Sequence, residues 1–590
     1  MALVWVLTCF LLPDSRELPP EALANEDEVA LEQEVLFLHS HPIDLNRAGM
    51  DELLSIPWLS PVLAARILEM RESLGGFDSL SQLLEVNGIS RKQYDMLRRV
   101  VRVVRHEDDE DEQGGRPDWT GSVLLRTWTD TIPTTGDRLA GIGRVTVNRV
   151  PWKATGIIEK DRGESCLSDW VGTALSYQKH GFGFTVGHYT FGRGLGLVFS
   201  GPHRRSGAWR DAGVKGPGNL RAVRSALENR AFRGAGVEMV RPTWEASVLG
   251  SYVGRDARLN DDGTVDRLEY GGTHDDSASL AGRSAVAELS LGTGIARVWK
   301  HAVVAATGAY VRYGREFAPE DSIDSFYGSA LAAGGVSADL RARDYRVGIE
   351  GAVSTGGGAA GALEVAGDWQ SFAVGLGLVG YSARYFAPLG RSRSLTNRQE
   401  RLYARARVGY RACGFGVRIR GNTYRDFALD SLPARLEVRL GQELGRFALG
   451  FTIGQTFRLE HRRYRVSRCE AEYKGSDVKA LLTISDAYPE QSSGRGRMAA
   501  GNLRIRRSWF WTSLTAARFD ISGDGTRMYL SEHSPVRAGP GFSTDESAWR
   551  CALSTGLTLP SGSGLGLAMA ATQKDSVVFE LGGQVELGLH

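Results

Sequence analysis

Beyond the first dozen residues, no stretch of this 590-residue chain approaches the roughly 20 apolar residues that a membrane-crossing helix needs. If the protein enters a bilayer, it does so as strands. Charge of one sign is also missing. The formal net charge is +2, so no global field points to nucleic acid, and any such binding must rest on a local patch. Only 5 cysteines occur (Cys9, Cys166, Cys413, Cys469, Cys551), an odd total without Cys-x-x-Cys spacing, which indicates neither a zinc site nor a dense disulfide framework. No metal and no cofactor are expected. Proline is modest at 19 residues, whereas glycine is abundant at 73. With 42% hydrophobic and 9% aromatic residues, the chain is too apolar for disorder and too evenly apolar for a helical membrane protein. The length exceeds one ordinary core, and the composition favours one very large sheet over several small domains.

Residues 1–13 read as a degenerate or truncated signal segment: 2–12 are apolar over about the length of a secretory core, but no Lys or Arg precedes them and no small-x-small cleavage site follows. A buried N-terminal helix is the alternative. Leu7-Thr8-Cys9 is a poor lipoprotein box, since Cys9 comes too early. Residues 14–40 are an acidic tether. A helical segment over 41–105 follows, closed by an acidic Gly/Pro linker at 106–117 that buries nothing and marks a domain boundary near residue 110.

From 118 to 590 the hydrophobic period changes from 3.6 to 2. Leu402, Ala404, Ala406, Val408 and Tyr410 alternate with Tyr403, Arg405, Arg407, Gly409 and Arg411, an apolar face opposite a cationic one. Leu436, Val438 and Leu440, and then Phe447, Leu449, Phe451 and Ile453, repeat the pattern. Strands of this kind suit a membrane barrel with lipid outside and water or a plug inside. At about 20 residues per strand and turn, the region holds some 20 to 24 of them. A soluble sandwich or propeller gives the same alternation, but arginines recur on the polar side and no helical segment remains to cover such a sheet. The fold class expected is a small all-α double helix-hairpin-helix domain before a large antiparallel transmembrane β-barrel. The terminal His590 departs from the aromatic residue that barrel-assembly machinery commonly recognises.

In the helical segment, Asn46 is placed to cap a first helix running through Leu53-Leu54. Ile56-Pro57-Trp58-Leu59-Ser60-Pro61 connects it to a second helix over 62–73. After Gly75-Gly76-Phe77 the unit repeats, with a helix over 80–85, the hairpin Val86-Asn87-Gly88-Ile89-Ser90 and a helix from Arg91 to about Val104. These motifs resemble the double helix-hairpin-helix domain of the competence DNA-uptake receptor family. The resemblance covers about a tenth of the chain and implies hairpins that grip a DNA backbone through a Gly-x-Gly turn at a helix N-terminus. The first hairpin has Trp58 and Ser60 where the family has glycines, which disables it for close phosphate approach. The second keeps Gly88 and has Ser90 for the other glycine. Gly88, Ile89, Ser90, Arg91, Lys92, Arg98 and Arg99 are therefore the DNA-binding candidates. The alternative is a protein-docking module whose arginines form a solvated helix face.

Two stretches of the strand region resemble landmarks of a group of bacterial outer-membrane proteins that carry such a domain before a large barrel. One is 187–197, containing Gly192-Arg193-Gly194, with 225–234 after it, and the other is 527–532 with 539–550. Physically, Gly192-Arg193-Gly194 fits a tight turn where backbone meets backbone. Glu228 with Arg230 or Arg233 fits a structural ion pair in the lumen. No enzyme constellation emerges: His180, His188 and His203 lack metal-ligand spacing, and no serine sits in a nucleophile elbow. The expected function is a non-enzymatic outer-membrane barrel with a periplasmic domain, its partners being outer-membrane lipid and either DNA or an envelope protein. A plugged or structural barrel whose small domain docks a protein is the second reading.

Overall fold

The computed structural model describes parts of 43–103 and most of 119–589, leaving out 131–138, 161–169, 201–218, 224–230, 270–280, 391–400, 427–433, 458–463, 490–493, 524–527, 532–540 and some shorter stretches. The expected signal segment, tether and linker lie outside the described residues.

The strand region is one closed antiparallel barrel of 24 strands, the upper end of the expected range. Each strand pairs with the next along the chain, and the first (Thr120–Asp130) closes on the last (Val577–Leu589) with Gly121 opposite Leu589. Closure leaves no wall edge unpaired. Local turn chemistry sets the hairpins. At Cys413-Gly414 both residues have positive φ, 51° and 78°, the requirement of a two-residue turn that matches strand twist.

Because the strands alternate in direction, Thr120, Leu589 and the short turns near residues 150, 180, 242, 300, 343, 370, 413, 445, 476 and 508 lie at one end of the barrel. The long connections, among them 193–231, 256–285, 382–400 and 523–547, lie at the other.

The period-2 pattern separates the faces as expected. In Val286–Val298, residues alternate buried and exposed along most of the strand: Glu288, Ser290 and Gly292 turn inward and Leu289, Leu291 and Ile295 outward. Outside, Val248, Ile295, Val336 and Val353 are 64%, 60%, 59% and 62% exposed, an apolar surface far beyond what a water-soluble protein carries. Exposed aromatics (Trp152, Trp299, Tyr345, Trp369, Phe447, Trp509) ring the short-turn end, and Tyr252, Trp549 and Phe579 stand toward the other. A closed wall with an apolar outer band and aromatic girdles is a transmembrane β-barrel.

The small domain has its own core, with Leu45, Leu53, Ile56, Leu63, Ile67, Phe77, Leu83 and Leu97 all nearly inaccessible. Its described elements are the α-helix Pro61–Leu74, the 3-10 helix Leu80–Glu85 and a parallel bridge between Ile43–Asp44 and Val101–Arg102. The bridge is absent from the all-helical expectation. It also shortens the last helix, expected to reach about Val104, because Val101 and Arg102 leave it to pair with a segment almost 60 residues upstream.

Candidate functional site

The two hairpins of the small domain share one backbone pattern. In the first, the Ile56 N–H donates to the Leu53 carbonyl and the Leu59 N–H to that of Ile56, both at 3.1 Å. In the second, Val86 donates to Leu83 at 3.3 Å and Ile89 to Val86 at 3.1 Å. The pattern thus repeats 30 positions later, with Ile56 and Val86, and likewise Leu59 and Ile89, buried at equivalent positions. The duplication read from the motifs is a duplication of geometry.

The joint between the units has contacts that sequence reading missed. The residues that Asn46 is expected to cap lie outside the described ones, but its side chain also reaches the interior turn: its amide donates to the Phe77 carbonyl at 3.0 Å, and its Oδ1 accepts from the Phe77 N–H at 2.7 Å. That turn needs Gly75 and Gly76, at φ +70° and +131°, values a side chain rarely adopts. The Arg71 guanidinium donates to the carbonyls of Leu45, Asn46 and Ala48, satisfying acceptors of the opening turn. Replacing Asn46 by alanine is expected to cost the domain about 2 kcal/mol, the worth of two hydrogen bonds. Faster hydrogen exchange around Phe77 in the intact protein checks this, and unchanged exchange would reject it.

Of the DNA-binding candidates, Gly88, Ser90, Arg91, Lys92 and Arg99 lie outside the described residues, as do Trp58 and Ser60. Ile89 is buried at 8% exposure and positions the second hairpin. Arg98 is exposed, beside the buried Leu97, so its side chain is on the solvent side of that helical turn. The domain touches the barrel at the short-turn end, where the Arg66 guanidinium donates to the carbonyl of Trp299. Burial between these parts lowers the Arg66 pKa, with Arg341 adding like-charge repulsion.

The second arrangement fills part of the lumen. At Gly192 the chain leaves the wall and turns inward, with Gly194 and Gly196 at φ +61° and +92°. The Arg193 N–H donates to the Phe199 carbonyl at 3.0 Å, which closes the Gly192-Arg193-Gly194 excursion as a tight loop. The loop meets a second inward segment from the connection after Tyr381: Ser200 N–H donates to the Leu389 carbonyl and the Tyr385 hydroxyl to the Leu197 carbonyl, both at 3.0 Å. Leu197 N–H in turn reaches Glu350 on the wall at 3.2 Å. Leu195, Leu197, Val198, Phe199, Tyr385 and Phe386 are buried against wall glycines. A Cβ at Gly292 would lie 2.6 Å from Phe199, and one at Gly335 3.0 Å from Val198. Beneath this plug, Arg193 faces Glu245 at 3.4 Å, their side chains 2% and 1% exposed.

The lumenal pair was expected of Glu228 with Arg230 or Arg233. Glu228 and Arg230 lie outside the described residues, and Arg233 is exposed on the outer face of Phe232–Val240, sharing strand parity with Val237. Buried pairs among the described residues of this half include Arg193–Glu245 and, at 2.8 Å, Arg255–Glu288. An arginine between two glycines was the available signal, but its partner lies 52 residues away. In the other landmark, Met528–Ser531 pairs with Gly541–Thr544 as a separate two-stranded sheet whose Met528 and Leu530 pack on Met498 and Phe519. Arg527, Glu532 and Gly539 lie outside the described residues.

Solved structures similar to this chain include the P pilus usher PapC translocation pore, 11% identical over 80% of this chain and 99% of that one, TM-score 0.37. The siderophore receptor PirA from Acinetobacter baumannii is 7% identical over 80% of both chains, TM-score 0.39. The ferric-catecholate import receptor Fiu from E. coli K12 is 8% identical over 80% and 82%, TM-score 0.35. No curated protein sequence matches the chain. Residues 39–102 match the family model for the helix-hairpin-helix motif, in agreement with the duplicated hairpins and with the bridge that ties residue 43 to residue 101.

Proposed function

We propose that this protein is a non-enzymatic bacterial outer-membrane barrel that holds a helix-hairpin-helix domain at its periplasmic mouth, where the second hairpin grips a DNA backbone. The observation that carries the reading is the shared hydrogen-bond pattern of the two hairpins, which supports a phosphate-approaching turn at Gly88 next to Arg91 and Lys92. The orientation rests on a general property of bacterial barrels, whose short turns are periplasmic. Both barrel termini and the Arg66 contact lie at that end. The plug argues that nothing large passes without a rearrangement of the 193–200 segment, so the domain's role is capture at the mouth. Trp58 and Ser60 in the first hairpin favour a second reading, an envelope-protein docking module without a DNA role.

The test uses the full chain in lipid nanodiscs with labelled duplex DNA over a salt series. Binding is expected to weaken steeply with salt. In Gly88→Glu/Arg91→Ala/Lys92→Ala it is expected to fall, with the log–log salt slope reduced by about 2, roughly 0.9 per lost cationic contact. Absence of binding at low salt retires the DNA reading in favour of docking.

A further inference from the structure

On one sector of the outer wall, charged side chains face the lipid. In the strands Val478–Pro489, Arg495–Arg506 and Phe510–Ser522, the exposed Leu482, Ile484, Leu503 and Leu514 mark the outward positions. Asp486, Arg497, Arg518 and Asp520 share that parity toward the long-connection end, with Asp486, Arg497 and Asp520 directly opposite one another along one row. An arginine on the lipid side of a barrel is costly at the bilayer midplane and tolerated near the interface, so this row lies at headgroup level. Aromatic rings mark the same level. The Arg518 guanidinium carbon is 5.0 Å from the centre of the exposed Trp549 ring, and that of Arg495 is 4.8 Å from the centre of Tyr488.

The carboxylates hold the two central guanidinium groups by their inner edge. Asp486 meets Nε of Arg497 at 3.3 Å, and Asp520 meets Nε of Arg518 at 3.0 Å. The terminal nitrogens, the fork that matches a phosphate, extend beyond those contacts, and the two side chains are 57% and 53% exposed. Directly toward the short-turn end from this row, the outer wall is hollowed into an apolar groove of about 430 Å³, lined by Ala471, Leu482, Gly501, Leu503, Leu514 and Ala516. A Cβ at Gly501 would meet nothing within 4 Å, so the space before the wall there is open. The register joins the two features. Ala471, Leu482, Gly501 and Ala516 lie in one row across four strands, and Ala516 is two residues from Arg518, about 7 Å along the strand. A molecule seated here meets lipid-facing apolar surface at one end and phosphate-matching cations at the other. That is the chemistry of a phosphate-bearing membrane lipid, its headgroup on the guanidinium forks and an acyl chain in the groove.

We propose that this sector of the outer wall is a binding site for a phosphorylated lipid of the leaflet at the long-connection end, with Arg497 and Arg518 on its phosphate and the groove at Gly501 and Ala516 on its chain. The site is remote from the hairpin domain, so it stands or falls apart from DNA capture. Phosphatidic acid is the probe, and phosphatidylcholine with the same chains is its neutral-headgroup control. Native mass spectrometry of the full chain in neutral detergent is expected to show phosphatidic acid retained at least roughly tenfold more tightly than phosphatidylcholine, the scale of one charge-assisted hydrogen bond. Arg497→Gln/Arg518→Gln is expected to abolish that preference. Ala516→Phe, which leaves both arginines in place, is expected to remove the retained lipid because its ring occupies the space of the chain, whereas Ile349→Phe on a distant outward position is expected to change nothing. All these substitutions keep a lipid-facing position apolar or replace an interfacial charge, so the heat-dependent gel shift of the folded barrel is expected to survive. Excess inorganic phosphate is expected to leave the bound lipid in place. No preference for phosphatidic acid, binding unchanged in either the double glutamine variant or Ala516→Phe, or displacement by inorganic phosphate would each overturn the proposal.

Discussion

Replacing Arg193 with alanine is expected to unseat the plug while leaving the barrel wall intact. The guanidinium is the cation facing Glu245, which is itself inaccessible, and Glu238 lies in the same pocket at 7% exposure. Removing one partner of a buried pair leaves an uncompensated charge, at a cost of about 3–5 kcal/mol. The 193–200 segment is held otherwise by a few hydrogen bonds and apolar packing, so a loss of this size moves it out of its seat, whereas the wall is closed by its own ladders. The expected readout is new protease cleavage within 193–200 and entry of small sugars into liposomes carrying the variant, with normal gel migration of the folded barrel. Arg193→Met together with Glu245→Leu separates electrostatics from packing. An apolar pair of similar volume is commonly neutral or better than a buried ion pair, so the double variant is expected to reseat the plug. Cleavage and permeability identical to the parent in Arg193→Ala would show that the pair does not hold the loop.

The second large effect is expected on the outer face. Val336 sits mid-strand in Gly328–Arg341, opposite Ala306 and Gly351, and is 59% exposed. Val336→Arg is expected to reduce the free energy of folding into bilayers by about 2–4 kcal/mol, the penalty for an arginine near the bilayer midplane. Thr452→Glu makes the opposite case. That position faces the lumen between Arg439 and Arg468, so a carboxylate there is expected to fold at least as well as the parent. Measured by urea titration in thin bilayers, equal stability of Val336→Arg and the parent would mean that this face does not meet lipid.

The wall was readable because its rule is local. Each strand pairs with its sequence neighbour, so the alternation around Leu402–Tyr410 and Phe447–Ile453 already states which side chains face lipid, and turns such as Cys413-Gly414 set the register. Duplication of the hairpins was readable for the same reason, since helix, turn and helix lie within 30 residues. The Asn46–Phe77 contact was not readable because Phe77 lies beyond the first hairpin. The last helix was drawn too long because a helical pattern does not reveal that Val101 pairs with Ile43.

Period and turn chemistry, which act over a few residues, made the barrel and its faces readable directly from the chain. Which residues fill the lumen was decided by closure. Curling the sheet brings Gly192–Ser200 against Leu389 and Arg193 against Glu245, and it puts Arg407 beside Arg420 and Arg418 beside Arg439 on one open wall. The plug contacts join residues remote along the chain. The arginine stacks depend on which members of neighbouring strands are set directly opposite. Neither follows from hydrophobic period alone, which gives a side chain its face but not its partner.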